Sequence, residues 1–168
     1  MARLYIKIDP VTGQRTIRRP RTVAGFRGTL RYAAIGVHEN RDQCRKDDVE
    51  GWFYTLIELT TGNIPWKASP QPLLNIHPQP FTRFQNLDDN AAVGAFKQRV
   101  RLPNHMSELL GGCPREYAEI MRLIDNTTYF AKPPYPQIYA LLRQAFASTH
   151  ATEFPYDWER PAMPPTRF

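Results

Sequence analysis

The segment from residue 27 to residue 31, Arg-Gly-Thr-Leu-Arg, holds side chains that could bind an anion. Arg27 and Arg31 stand on either side of Thr29, and Gly28 lets the backbone come close to a ligand. Paired guanidinium groups next to backbone N–H groups suit a phosphate or a carboxylate. The alternative is an exposed basic turn without a ligand. From these residues alone, both interpretations stay open.

The cysteines and histidines offer no comparable site. Cys44 and Cys113 form no disulfide framework, and their spacing is not that of metal ligands. The four histidines (His38, His77, His105, His150) form no recognisable triad or metal cluster with them. We therefore assign no catalytic residue and no metal ligand from the sequence.

The positive charge is concentrated at the N-terminus. Residues 1–31 contain eight of the 22 lysines and arginines but only one acidic residue, Asp9. Such an arm favours an acidic or phosphorylated protein partner, whereas a solvated basic loop is the simpler alternative. Nucleic acid receives little support, because only Tyr5 and Phe26 could stack on bases there. With two cysteines and no apolar run of about 20 residues, we expect no membrane span and a cytoplasmic protein, the nucleus being the alternative.

The element that must position these residues is a central helix at about 47–62. Asp47 or Asp48 can cap its start, and Gly62 followed by Asn-Ile-Pro should end it. Its apolar residues cover most of the circumference, with Tyr54 alone expected to point elsewhere, so the helix should be wrapped by protein on several sides. These apolar residues are Val49, Trp52, Phe53, Leu56, Ile57 and Leu59.

Shorter elements surround this helix. Residues 4–13 predict a short strand, a turn and a returning segment. A helix is predicted at 88–100, where Asp88-Asp89-Asn90 cap its start and Val93, Phe96, Lys97 and Val100 share one face. Further helices are predicted from Pro114 to about 125 and at 134–148, where Phe146 is expected in the buried stripe. A proline-rich insertion at 67–85 and a tail at 160–168 should lack regular structure.

Three ordered blocks give the chain a family resemblance. They are Gly-Thr-Leu-Arg-Tyr-Ala (28–33), Arg-Lys-Asp-Asp (45–48) and Ile-Pro-Trp (64–66). Together they resemble the C-lobe of casein kinase 1-type protein kinases, and the tau-tubulin kinase-like branch is the most similar. The resemblance extends to Thr128–Pro133 and Tyr156–Glu159. It implies an activation segment at 1–36 and a partial kinase domain over 1–159.

The resemblance also implies roles for single residues. Thr29 matches the threonine that meets the catalytic aspartate, and Arg31 matches an arginine that binds the phosphate of a phosphorylated substrate. Arg99 matches a lysine of the same anion pocket. Asp48 matches the aspartate that braces the catalytic loop, and Trp52 and Trp66 are structural.

The motifs that bind nucleotide in protein kinases do not occur in these 168 residues. There is no G-x-G-x-x-G, no His/Tyr-Arg-Asp with its downstream Asn, and no Asp-Phe-Gly. We therefore predict a mainly α fold that corresponds to a kinase C-lobe without the N-lobe and catalytic loop. The function expected is that of part of a Ser/Thr kinase that is inactive alone, with ATP and Mg as cofactors of the complete family only. A non-catalytic binding module for phosphorylated or acidic proteins is the alternative.

Overall fold

The structure is a computed structural model that describes residues 5–66, 90–149 and 152–154. Two short strands, β1 (Ile6–Ile8) and β2 (Arg15–Ile17), form an antiparallel hairpin. Six helices follow within the described ranges: α1 (Ile35–His38), α2 (Arg45–Thr61), α3 (Asn90–Arg99), α4 (Ser107–Leu110), α5 (Glu116–Asp125) and α6 (Tyr135–Ser148). The expectation of a mainly helical fold is confirmed. The predicted insertion at 67–85, the proposed caps Asp88 and Asp89, and the tail lie outside the described residues.

The side chain of Asp9 stabilises the turn of the hairpin. Asp9 Oδ1 accepts hydrogen bonds from the backbone N–H groups of Val11 and Thr12, each at 2.8 Å. Gly13 then adopts a φ of 68°, which glycine tolerates without strain. The strand, turn and returning segment predicted from the sequence are all present.

Helix α2 is the centre of the core. Cys44 is its N-cap, and Asp47 Oδ2 accepts a hydrogen bond from the Cys44 backbone N–H at 2.7 Å. Gly62 closes the helix with a φ of 78°, and its N–H donates to Glu58 O at 2.8 Å. Of the two aspartates considered, Asp47 performs the capping, from the third helical position. Asp48 is exposed.

Two expectations about the faces of α2 need correction. Phe53, Tyr54 and Ile57 are at most 1% exposed, so Tyr54 points into the core and not elsewhere. Trp52 is 40% exposed and Leu59 is 80% exposed. The reason is helical geometry: residues 52 and 59 are seven apart and share a face that the described elements leave open. The helix therefore has one buried side and one open side.

The remaining helices pack as their sequence patterns predict, with one exception. In α3 the predicted face of Val93, Phe96, Lys97 and Val100 is buried. Helix α5 packs between α2 and α6 and buries Tyr117, Ile120, Met121 and Ile124. In α6, Ile138 and Ala145 are buried, whereas Phe146 is 38% exposed because it lies at the edge of the stripe. None of the described helices is long and apolar enough to cross a membrane.

Candidate substrate-binding loop

The segment 27–34, here called the anion loop, links the N-terminal hairpin region to α1. Its bend is held by the N–H groups of Tyr32 and Ala33, which both donate to Thr29 O at 3.1 and 3.0 Å. Gly28 has a φ of 108°, a conformation that L-residues rarely adopt. Arg27, Gly28 and Thr29 are exposed, and the Arg31 side chain is 31% exposed. The candidate anion-binding groups are thus accessible on one bend.

The back of the anion loop is fixed by a buried lysine. Lys97 of α3 is 0% exposed, and its Nζ donates to Leu30 O at 2.8 Å and to Ala33 O at 2.7 Å. His38 Nε2 lies 3.2 Å from the same nitrogen. The ring centroids of Tyr54 and Trp66 each lie 4.9 Å from Nζ, within the range of a cation–π contact.

Trp66 supports the same loop from another direction. Its Nε1 donates to Arg31 O at 2.7 Å, and its ring meets those of Tyr54 and Phe96 edge-on at 5.0 and 6.0 Å. Trp66 is 0% exposed. The carbonyl oxygens of residues 30, 31 and 33 in the loop therefore accept hydrogen bonds from buried side chains of the core.

A buried carboxylate holds the segment after the loop. Glu50 of α2 is 1% exposed, and its Oε1 accepts from Ile35 N at 3.0 Å, Tyr54 OH at 2.6 Å and Arg101 Nη2 at 2.8 Å. Arg101 also donates to Lys97 O at 2.7 Å and to Asp125 Oδ1 at 3.1 Å. The Glu50–Arg101 ion pair and its hydrogen bonds thus connect α2, α3 and α5 behind the loop.

These contacts shift the ionisation of the buried groups. Burial lowers the pKa of Lys97 to about 7; the negative charge of Glu50 opposes this shift and the positive charge of Arg101 adds to it. Burial and the charge of Lys97 also lower the pKa of His38. Burial and then Glu50 raise the pKa of Tyr54. His38 and Tyr54 are therefore neutral near pH 7.

Arg31 and Arg99, expected to converge on one anion, each have a carboxylate partner of their own. Arg31 Nη1 lies 3.7 Å from Glu58 Oε1, and the Tyr32 hydroxyl donates to the other oxygen of Glu58 at 2.6 Å. Arg99 donates to Glu108 Oε2 and lies over the Phe96 ring at 4.5 Å. In the described parts of the chain no contact joins the two arginines. Their shared binding of a phosphate stays a prediction.

Sequence reasoning missed the residues that hold the loop. The sequence pattern puts Lys97 on an apolar helix face with Val93, Phe96 and Val100. A cation on such a face indicates a buried lysine that needs hydrogen-bond acceptors. Glu50 carried no such signal, because Tyr54, four residues further along α2, was itself expected to point away from the core. Among the residues that the structure describes, no group of three or more His, Cys, Asp or Glu side chains could hold a metal ion.

Comparison with known proteins identifies the relatives of this chain. It is 34% identical over 144 residues to the serine/threonine-protein kinase spe-6 of Caenorhabditis elegans. The aligned region covers 83% of this chain and 33% of the relative. It is 31% identical to a probable serine/threonine-protein kinase of Dictyostelium discoideum (85% of this chain, 25% of the relative). It is 28% identical to casein kinase I homolog 1 of Schizosaccharomyces pombe (89% and 30%). No protein-family model matches the chain.

The chain is thus homologous to serine/threonine protein kinases, and casein kinase 1-like proteins are among its relatives. It spans between a quarter and a third of the length of the three relatives named. The helical fold and this partial coverage agree with a segment similar to a kinase C-lobe.

Proposed function

We propose that this chain is the substrate-binding part of a casein kinase 1-like serine/threonine kinase, in the tau-tubulin kinase-like branch. The observation that carries the proposal is the anion loop itself. Three of its carbonyl groups are bound by buried donors, while Arg27, Gly28 and Thr29 face solvent. A loop that is held from behind and displays cationic side chains next to exposed backbone is suited to orienting an acidic or phosphorylated substrate. Homology to Ser/Thr kinases supports a protein substrate.

In this proposal Arg31 binds the negative charge of the substrate, and Thr29 meets the catalytic aspartate of the complete kinase. Arg99 is the second cation by resemblance. A bound phosphate must compete with Glu58 for Arg31 and with Glu108 for Arg99. In this proposal ATP and Mg are cofactors of the complete kinase. The isolated polypeptide is expected to be catalytically inactive because its sequence lacks the nucleotide-binding motifs.

The test has two parts. Purified 1–168 should incorporate no phosphate into an acidic protein substrate in the presence of ATP and Mg. A hybrid in which this chain replaces the matching segment of the Schizosaccharomyces pombe casein kinase I homolog 1 should transfer phosphate. The hybrid with Arg31→Ala should lose most activity on a phosphorylated peptide, whereas Arg143→Ala, on the surface of α6, should not. A hybrid that folds cooperatively but has no activity would contradict the proposal.

A second candidate function is a non-catalytic module that binds phosphorylated or acidic proteins. The exposed position of Arg27 next to Gly28 favours it, because binding needs no nucleotide. Calorimetry with a phosphopeptide and its unphosphorylated form separates this function from a solvated basic loop. Arg31→Ala and Arg99→Ala should each remove most of the preference for phosphate, and the double variant should add little because both act on one group. Independent, additive losses that disappear together in salt would favour the basic loop instead.

A further inference from the structure

The strongest feature without an assigned role is the ammonium group of Lys97. We infer that Lys97 is a positioning residue for the anion loop, which fixes the backbone at Leu30 and Ala33 so that Thr29 and Arg31 keep one orientation. The inference deepens the proposed function and rests on it for its consequence in substrate binding. All the contacts that support the inference lie within the described residues.

The surroundings of Lys97 Nζ provide one hydrogen-bond acceptor for each N–H donor of an ammonium group. A lysine ammonium has three N–H donors and no acceptor. Three acceptors lie within reach: Leu30 O at 2.8 Å, Ala33 O at 2.7 Å and His38 Nε2 at 3.2 Å. His38 Nδ1 lies 3.1 Å from Asn90 O, which fits the tautomer that leaves Nε2 free to accept. The site thus satisfies every donor of the lysine.

Packing alone does not explain a lysine at this position. A methionine would fill the same space between Tyr54 and Trp66 without the cost of burying a charge. What a methionine lacks is a donor for the two loop carbonyls. These carbonyls belong to a non-helical bend, so no helical N–H replaces the missing donor. The loop carbonyls therefore explain the lysine, together with its cation–π contacts to Tyr54 and Trp66.

The lysine also acts at the right place to orient Arg31. Its two carbonyl contacts fall on residues 30 and 33, on either side of Arg31 and Tyr32. Trp66 binds the carbonyl between them. Loss of the Lys97 contacts would leave the Trp66 bond and the Glu50 bond to Ile35 N in place. The expected result is local freedom of the anion loop without unfolding of α2 and α5.

Amide hydrogen exchange on the full 168-residue chain tests this inference. At pH 6, where most of Lys97 is charged, exchange at residues 29–34 should become at least about tenfold faster in Lys97→Met, because hydrogen bonds from a charged donor shift a local opening equilibrium by that factor or more. Exchange in α5 should stay within about twofold of the unmodified protein. Lys132→Met, an exposed lysine in the loop before α6, is the matched control and should change neither region. If Lys97→Met does not fold, His38→Leu, which removes one of the three acceptors, should give a smaller increase in the same residues.

Equal acceleration in the loop and in α5 would overturn the inference, because Lys97 would then stabilise the core as a whole. Unchanged exchange in the loop would overturn it as well. Phosphopeptide binding is measured separately. If the unmodified chain prefers a phosphopeptide over its unphosphorylated form, the folded Lys97→Met variant should lose most of that preference. Faster loop exchange in a chain that shows no phosphate preference would support the positioning role and contradict the proposed function. The two failures are therefore distinguishable.

Discussion

The pH dependence of stability should reveal the ionisation of Lys97. Its pKa is about 7 in the folded protein, whereas an unfolded lysine titrates near 10.5. Between these values the unfolded chain binds more protons than the folded chain, so the free energy of unfolding should rise with pH. A difference of one bound proton between the two states changes the free energy of unfolding by about 1.4 kcal/mol per pH unit. Because Lys97 is half titrated at pH 7, the gain from pH 7 to pH 9 should be roughly 2 kcal/mol.

The assay is urea denaturation of the unmodified chain and of Lys97→Met at pH 6, 7, 8 and 9. Burial raises the pKa of Cys44 and of Cys113, which lowers stability as pH rises, and both proteins share this effect. Besides burial, the charge of Lys97 lowers the pKa of His38, so the difference between the two unfolding free energies isolates Lys97 only from pH 7 upwards, where His38 is neutral. It should change in favour of lysine by roughly 2 kcal/mol between pH 7 and pH 9. A difference that stays constant from pH 6 to pH 9 would refute the reasoning and show that the three acceptors outweigh the cost of burial.

Three further perturbations follow from the described contacts. Glu58→Gln should strengthen phosphopeptide binding severalfold in calorimetry, because it removes the carboxylate that competes for Arg31 while keeping an acceptor for Tyr32. Asp47→Ala should cost about 1 kcal/mol in urea melts through loss of the helix cap, whereas Asp48→Ala should be milder. The open side of α2 should bind a hydrophobic dye, and Trp52→Gln should reduce dye binding without lowering stability.

Each of these predictions would be contradicted by a particular result. Glu39→Gln, at an exposed carboxylate paired with Arg41, is the matched control for the charge change at Glu58, and an equal gain in affinity there would indicate a general electrostatic effect. A loss of several kcal/mol in Asp48→Ala would reveal a buried partner for that residue. A sharp melt without dye binding would show that the open side of α2 is covered.

The main helices followed from local patterns. The 3.6-residue period located α5 and the buried faces of α3 and α6, and Gly62 marked the end of α2 because only a left-handed residue closes it there. The sides of α2 were predicted less well. Trp52 and Tyr54 are both large and aromatic, and their burial depends on which neighbours arrive from distant segments. Periodicity contains no information on that choice.

The candidate site was only partly accessible to sequence reasoning. Gly28, Thr29 and Arg31 could be singled out from residue type and adjacency. The contacts of Lys97 and Glu50 could not be predicted, because they join residues far apart in the sequence: 64 positions for Ala33–Lys97 and 51 for Glu50–Arg101. Such pairs are formed by the tertiary fold. The sequence signals only that a charged residue on an apolar face must find a partner.

The position of Trp66 gives the molecule a built-in optical reporter. Its indole donates to the anion loop and lies 4.9 Å from the Lys97 nitrogen, in a site that water does not reach. Indole fluorescence responds to local polarity and to nearby charge, so the emission of this residue should differ between the charged and the neutral lysine. Replacing Trp52 and Trp158 by phenylalanine would leave Trp66 as the sole emitter. The conformation of the loop could then be followed in real time without any attached label.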